Sequence, residues 1–139
     1  MQTTNHFRYL RAALVIFGGS FCAIYPLTIF WPSGWTWLPR QPEYEQMIMG
    51  VYATLGVFLL IAARQPLKHL SLIWFTVWSS LVHGGIMAVH ASREPAERGH
   101  LLGDVPALLF VAAILAALTP RGIDVENTSD ATDKYSQVR

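Results

Sequence analysis

Five side chains able to bind a metal or move a proton lie close together in the second half of this chain: His83, Met87, His90, His100 and Asp104. On a helix advancing about 100° per residue, His83, Met87 and His90 share one face within roughly 60° of arc. His100 and Asp104, at i and i+4, share a face of another helix. Imidazole, thioether and carboxylate are the ligands that copper or another transition metal accepts, so one chemistry of this set is a metal or redox-cofactor site. A second is a haem-like tetrapyrrole on His83, because Ser79, Ser80, Gly84 and Gly85 leave room for a flat macrocycle. A bis-histidine haem also needs a second histidine at matching depth, and His100 near the membrane interface matches His83 poorly. A third is enzymatic. An imidazole of ordinary pKa ~6.5 can exchange a proton with a lipophilic substrate while Asp104 or Glu45 orients it.

Each residue also has a plainer account. His83 can donate one hydrogen bond to a neighbouring helix, at Tyr52 or a backbone carbonyl, and simply fix packing. Met87 suits an irregular gap. His90 and His100 fall where a membrane meets water and need no special role. Asp104 stands where a carboxylate caps a helix or complements its dipole.

The elements that must position these groups are transmembrane helices. Leu70 to His90 is an apolar stretch that, at ~1.5 Å per residue, covers the roughly 30 Å hydrocarbon core of a bilayer. Of 139 residues 53% are hydrophobic and only 14% charged, too apolar for an ordinary soluble domain. A net charge of +1 without a Lys/Arg cluster speaks against a nucleic-acid partner. The lone Cys22 leaves no intramolecular disulfide and no Cys-pair metal site.

Taken in order, the pattern predicts helices over about 10–30, 44–63, 70–90 and 100–118, a compact all-α bundle of four transmembrane helices. The first follows a short polar lead, with Arg11 near its start and Pro26 near its end. Phe21 before Cys22 is too bulky for a lipoprotein cleavage site, so the segment is expected to stay in the mature protein. Trp31, Trp35 and Trp37, among Pro32, Gly34, Pro39 and Pro42, predict a headgroup-level belt. Glu43 and Glu45 suit the start of helix two, and Gly50, Ala53 and Gly56 form a small-residue packing stripe on it. Residues 121–139 are polar and are expected to form a disordered cytoplasmic tail.

Lys and Arg divide seven to three: Arg8, Arg11, Arg64, Lys68, Arg121, Lys134 and Arg139 on the side of the termini, against Arg40, Arg93 and Arg98 on the other. Both termini are therefore expected in the cytoplasm. His83 should lie about seven residues, roughly 10 Å, inside the outer end of helix three. Asp104 should then sit nearer Met87 or His90 than His83, which the Tyr52 region of helix two approaches instead.

Tyr44-Glu45-Gln46-Met47-Ile48, Gly50 through Phe58, Arg64-Gln65-Pro66 and Trp78 through His83 to Met87 resemble the small four-helix membrane proteins grouped as BphX-like and DoxX-like. The resemblance covers most of residues 8–120. It implies the four-helix fold. Some DoxX-like proteins are associated with quinone-linked oxidoreductases and BphX-like proteins with aromatic-degradation gene clusters, but no catalytic motif carries over to these positions. The expectation is a multi-pass protein of a bacterial inner membrane, in contact with lipid and with other membrane subunits. It is taken first as a non-enzymatic accessory or structural subunit, second as an outward-facing metal or cofactor-binding protein, and third as a membrane enzyme.

Overall fold

The computed structural model describes residues 2–30 and 42–120. The expected tryptophan belt at Trp31, Trp35 and Trp37, Arg40 and the tail 121–139 lie outside the described residues. Among the described residues four α-helices follow one another: α1 over Gln2–Phe30, α2 over Pro42–Ala62, α3 over Leu70–Arg93 and α4 over Asp104–Leu118. Tight 3-10 turns over Pro66–His69 and Pro95–Leu101 lead into α3 and α4.

The boundaries have local causes. The helix α1 starts well before Leu10 because no Pro or Gly interrupts Gln2–Tyr9, and polarity alone does not oppose helix. It runs through Pro26, which bilayer helices tolerate where neighbours compensate the lost backbone bond. Pro42 opens α2 at a position where the missing N–H costs nothing. The fourth helix begins at Asp104 rather than His100. Gly99 and Gly103 flank a 3-10 segment closed by Leu102 N–H to the Gly99 carbonyl at 3.1 Å, and Gly103 occupies the cap position. Pro106 then falls in the first turn, among N–H groups without intrahelical partners.

Two contacts order the ends of the bundle. The Arg11 guanidinium donates to the Arg64 carbonyl at 3.0 Å, and His6 Nε2 lies 3.0 Å from the Leu118 carbonyl. The start of α1 and the ends of α2 and α4 therefore meet at one end, with Arg8, Arg11, Arg64 and Lys68. His90, Arg93, Arg98, His100 and Asp104 collect at the other.

Packing is uneven around the bundle. The α1–α2 and α3–α4 interfaces are extensive, α1 also packs on α4, and the α2–α3 side is the sparsest. The core is built from Leu10, Leu14, Phe17 and Phe21 of α1 against Leu55 and Leu59 of α2, Ile73 and Val77 of α3 and Val111 and Leu115 of α4. A smaller cluster of Met87, Val105 and Leu108 seals α3 to the start of α4. Outside, Val15, Ile16, Val57, Phe58, Phe75, Trp78, Val82 and Phe110 are all exposed. An apolar exterior of this extent belongs in hydrocarbon rather than water. Asn5–Ile24, Pro66–Arg93 and Arg98–Leu118 are long and apolar enough to cross a membrane, and Gln46–Ala62 is a shorter apolar helix.

Candidate functional site

Along α3 the buried residues Ile73, Val77, Ser80, Gly84, Met87 and Ala91 recur at alternating steps of four and three, the line by which the helix packs into the bundle. Gly84 sits on this line opposite Leu108 and Leu109, where an added Cβ would be in ordinary contact at 3.4 Å. His83 stands beside the line, on the side toward α2. Its ring meets Tyr52 edge-to-face, with centroids 5.5 Å apart and planes at 84°. Tyr52 in turn meets Phe21 of α1 at 5.2 Å and 67°. Both geometries are the edge-on arrangements that aromatic quadrupoles favour. Tyr52 thus links α1, α2 and α3 across the sparsest side of the bundle, and it packs against both apolar clusters.

The depth of His83 differs from expectation. Because α3 continues past His90 to Arg93, His83 lies roughly 15 Å from that end of the helix rather than 10 Å. Tyr52 is at the midpoint of α2, also roughly 15 Å from either end. The pair therefore sits near the middle of the spanning length.

The second polar pair is at the end of the bundle. His100 Nδ1 and Asp104 Oδ2 are 2.7 Å apart across the junction between the 3-10 turn and α4. Their side chains keep 26% and 36% of their exposure, so water reaches the pair. Gly103 has no side chain with which to cap α4. Asp104 instead places its carboxylate in the first helical turn, where the dipole favours it, and holds His100 at the same time.

The five expected ligands are thus distributed rather than gathered. His83 goes with Tyr52, and His100 with Asp104. Met87 is buried against Val105 and Leu108, and His90 is exposed. Among the described residues no group of three or more His, Cys, Asp or Glu side chains stands close enough to hold a metal ion. No hydrogen bond or ion pair joins Asp104 to His83. His100 lies in the 3-10 turn before α4, its Nδ1 2.7 Å from Asp104, whereas His83 is near the middle of α3. The side chain of Glu45 lies outside the described residues.

Two features escaped the sequence reading. Gly18 of α1 packs against Gly56 of α2 so closely that a Cβ on Gly56 would stand 2.6 Å from the Gly18 carbonyl oxygen and 2.8 Å from Cys22 Sγ. The Gly18-Gly19 pair within an apolar run was the available signal. The expected stripe on α2 divides accordingly: Gly56 faces α1, the Ala53 carbonyl accepts from Cys22 Sγ at 3.6 Å, and Gly50 has nothing within 4 Å of where its Cβ would be. The other feature is Ser80. Its hydroxyl is fully buried and has no hydrogen-bond partner among the described residues.

An all-α bundle with an apolar exterior, a mid-depth Tyr–His contact and an imidazole–carboxylate pair at one end defines a small membrane-type helical protein. The chain belongs to DUF6632, a family of unknown function, which matches residues 4–135. No curated protein and no solved structure matches the chain.

Proposed function

We propose that this protein is a non-enzymatic integral membrane subunit that docks onto a larger membrane complex through the outward face of α2. The observation that carries the reading is the line Gly50, Thr54, Val57 and Ile61, all exposed, with open space beside Gly50 and the Thr54 hydroxyl turned back onto the Gly50 carbonyl at 2.8 Å. Glycine in a helix interior costs about 1 kcal/mol relative to alanine, and no contact within the chain uses the space that Gly50 leaves. A second helix does. Association in a bilayer rests on close backbone approach, and a small residue followed by β-branched ones at helical spacing offers a shallow groove for it. The excess of Lys and Arg at the end shared by the termini supports an orientation with both termini cytoplasmic. The resemblance to BphX-like and DoxX-like proteins supports a bacterial inner membrane as its location.

The test is crosslinking in intact membranes followed by extraction in a mild detergent. The chain should migrate in a larger assembly with a defined partner, and Gly50→Leu should lower that yield about tenfold without altering the helical content of the purified protein. A solitary monomer, indifferent to Gly50→Leu and active alone, would refute the proposal.

A further inference from the structure

Three polar groups near mid-length of α2 and α3, on Tyr52, Ser80 and His83, make no hydrogen bond among the described residues. The Ser80 hydroxyl is buried and unpartnered. Neither the Tyr52 hydroxyl nor the His83 imidazole makes a hydrogen bond among the described residues; the two meet only through their rings. Ser80 and His83, at i and i+3, are neighbours on one helix, with Cβ atoms about 5–6 Å apart. Ser80 cannot readily turn back to the carbonyl four residues before it. The Thr76 carbonyl oxygen already accepts the Ser79 hydroxyl at 3.2 Å, besides the backbone N–H of its own helix turn. Thr76 itself shows the ordinary solution, its hydroxyl bonded to the Leu72 carbonyl at 2.9 Å.

Unsatisfied polar groups at this depth are costly, since hydrocarbon offers them no partner. The position of the site restricts what can satisfy them. Tyr52 and His83 lie roughly 15 Å from the helix ends, and the loosest contact between helices is the side on which they stand. A molecule reaches them most directly from the lipid, between α2 and α3. It must therefore dissolve in hydrocarbon, which makes a net charge costly. The groups that meet it can all donate: two hydroxyls and the single N–H of a neutral imidazole. A carbonyl oxygen, acceptor-only, complements them, its two lone pairs taking two of the three donors directly. The surroundings are apolar: Phe21 meets Tyr52 edge-to-face, and Tyr52 also packs against the cluster of Met87, Val105 and Leu108.

We infer that the α2–α3 opening admits a neutral, membrane-soluble carbonyl compound whose oxygen is bound by Ser80, Tyr52 and His83. This site does not depend on docking through α2. Its simplest probe is benzophenone, a neutral aromatic ketone whose carbonyl also crosslinks to nearby C–H bonds on irradiation. The full chain is placed in nanodiscs of ether-linked phosphatidylcholine, a lipid without carbonyls of its own, and titrated. A saturable, downshifted carbonyl stretching band that is absent from empty nanodiscs is the expected result, with crosslinks concentrated around Tyr52, Ser80, His83 and Met87. Ser80→Ala and Tyr52→Phe, both of which keep the packing, should each weaken saturation about tenfold and return the band toward its free position. Crosslinks spread over Phe75, Trp78, Val82 and Phe110, with both variants unchanged, would overturn the inference. So would a carbonyl band that never shifts while the Ser80 and Tyr52 hydroxyls exchange with deuterated water, which would identify water as their partner.

Discussion

The two sides of α2 are held in opposite ways. Toward α1, the Gly18 and Gly56 backbones come almost into contact, and Phe17, Phe21, Leu55 and Leu59 close the space around them. Toward α3, the helices scarcely touch, and the Tyr52–His83 ring contact spans the distance. One interface is made by removing side chains and the other by extending them. In lipid, where burying apolar surface between helices gains little over contact with acyl chains, that difference decides which interface is rigid and which can part.

The comparison is broken most severely at Gly56. Gly56→Leu should destabilise the bundle by more than about 3 kcal/mol, at or beyond the usual range for overpacking, because the obstruction is backbone and cannot rotate away. Gly19→Leu, one residue from the crossing but facing open space, should cost no more than about 0.5 kcal/mol. Unfolding in SDS titrations, followed by circular dichroism, would measure both. Equal effects would mean that α1 and α2 do not cross where the two glycines meet.

The loose side should respond less. Tyr52→Ala removes two edge-to-face contacts at about 0.5–1.5 kcal/mol each, so a loss of about 1–3 kcal/mol is expected in the same titration, with Tyr52→Phe near zero. If Tyr52→Ala were as damaging as Gly56→Leu, the α2–α3 side would be a structural interface rather than an opening. The ligand site inferred there would then lose its route of entry.

Most of the fold was legible because it follows from hydropathy and helix-breaking residues, which act locally. Leu70–Val89 announces itself by length, and Pro66 and Pro95 mark the turns before α3 and α4. Errors arose where polarity was used to end a helix. Gln2–Tyr9 is polar yet helical, and α3 continues through Ser92 and Arg93. That second error put His83 about 5 Å too shallow. Of the site, the approach of Tyr52 to His83 could be anticipated from depth alone, since both lie near mid-helix. The pairing of His100 with Asp104 was visible as an i, i+4 spacing, but the fact that it crosses a 3-10 junction was not. Gly103 and Gly99 determine that, and glycines signal a break without specifying its form. The open hydroxyl of Ser80 depends on which carbonyls its neighbours take, a tertiary and rotameric matter that spacing does not encode.

The smallest effect belongs to the end of the bundle, and it sharpens the contrast between polar groups at the surface and at depth. His100 and Asp104 satisfy each other at 2.7 Å but remain partly open to solvent, so screening limits their interaction. A double-mutant cycle with Asp104→Asn and His100→Gln should return a coupling of at most about 1 kcal/mol, and Asp104→Asn alone should add a few tenths for the charge lost from the first turn of α4. Benzophenone binding should be unchanged in Asp104→Asn, because the site at Ser80 and His83 makes no hydrogen bond to that carboxylate. A coupling of several kcal/mol, or a loss of ketone binding in this variant, would show instead that the two polar pairs act as one network. Met87 and Val105, packed together between the mid-depth site and the start of α4, are then the residues through which such a coupling would have to pass.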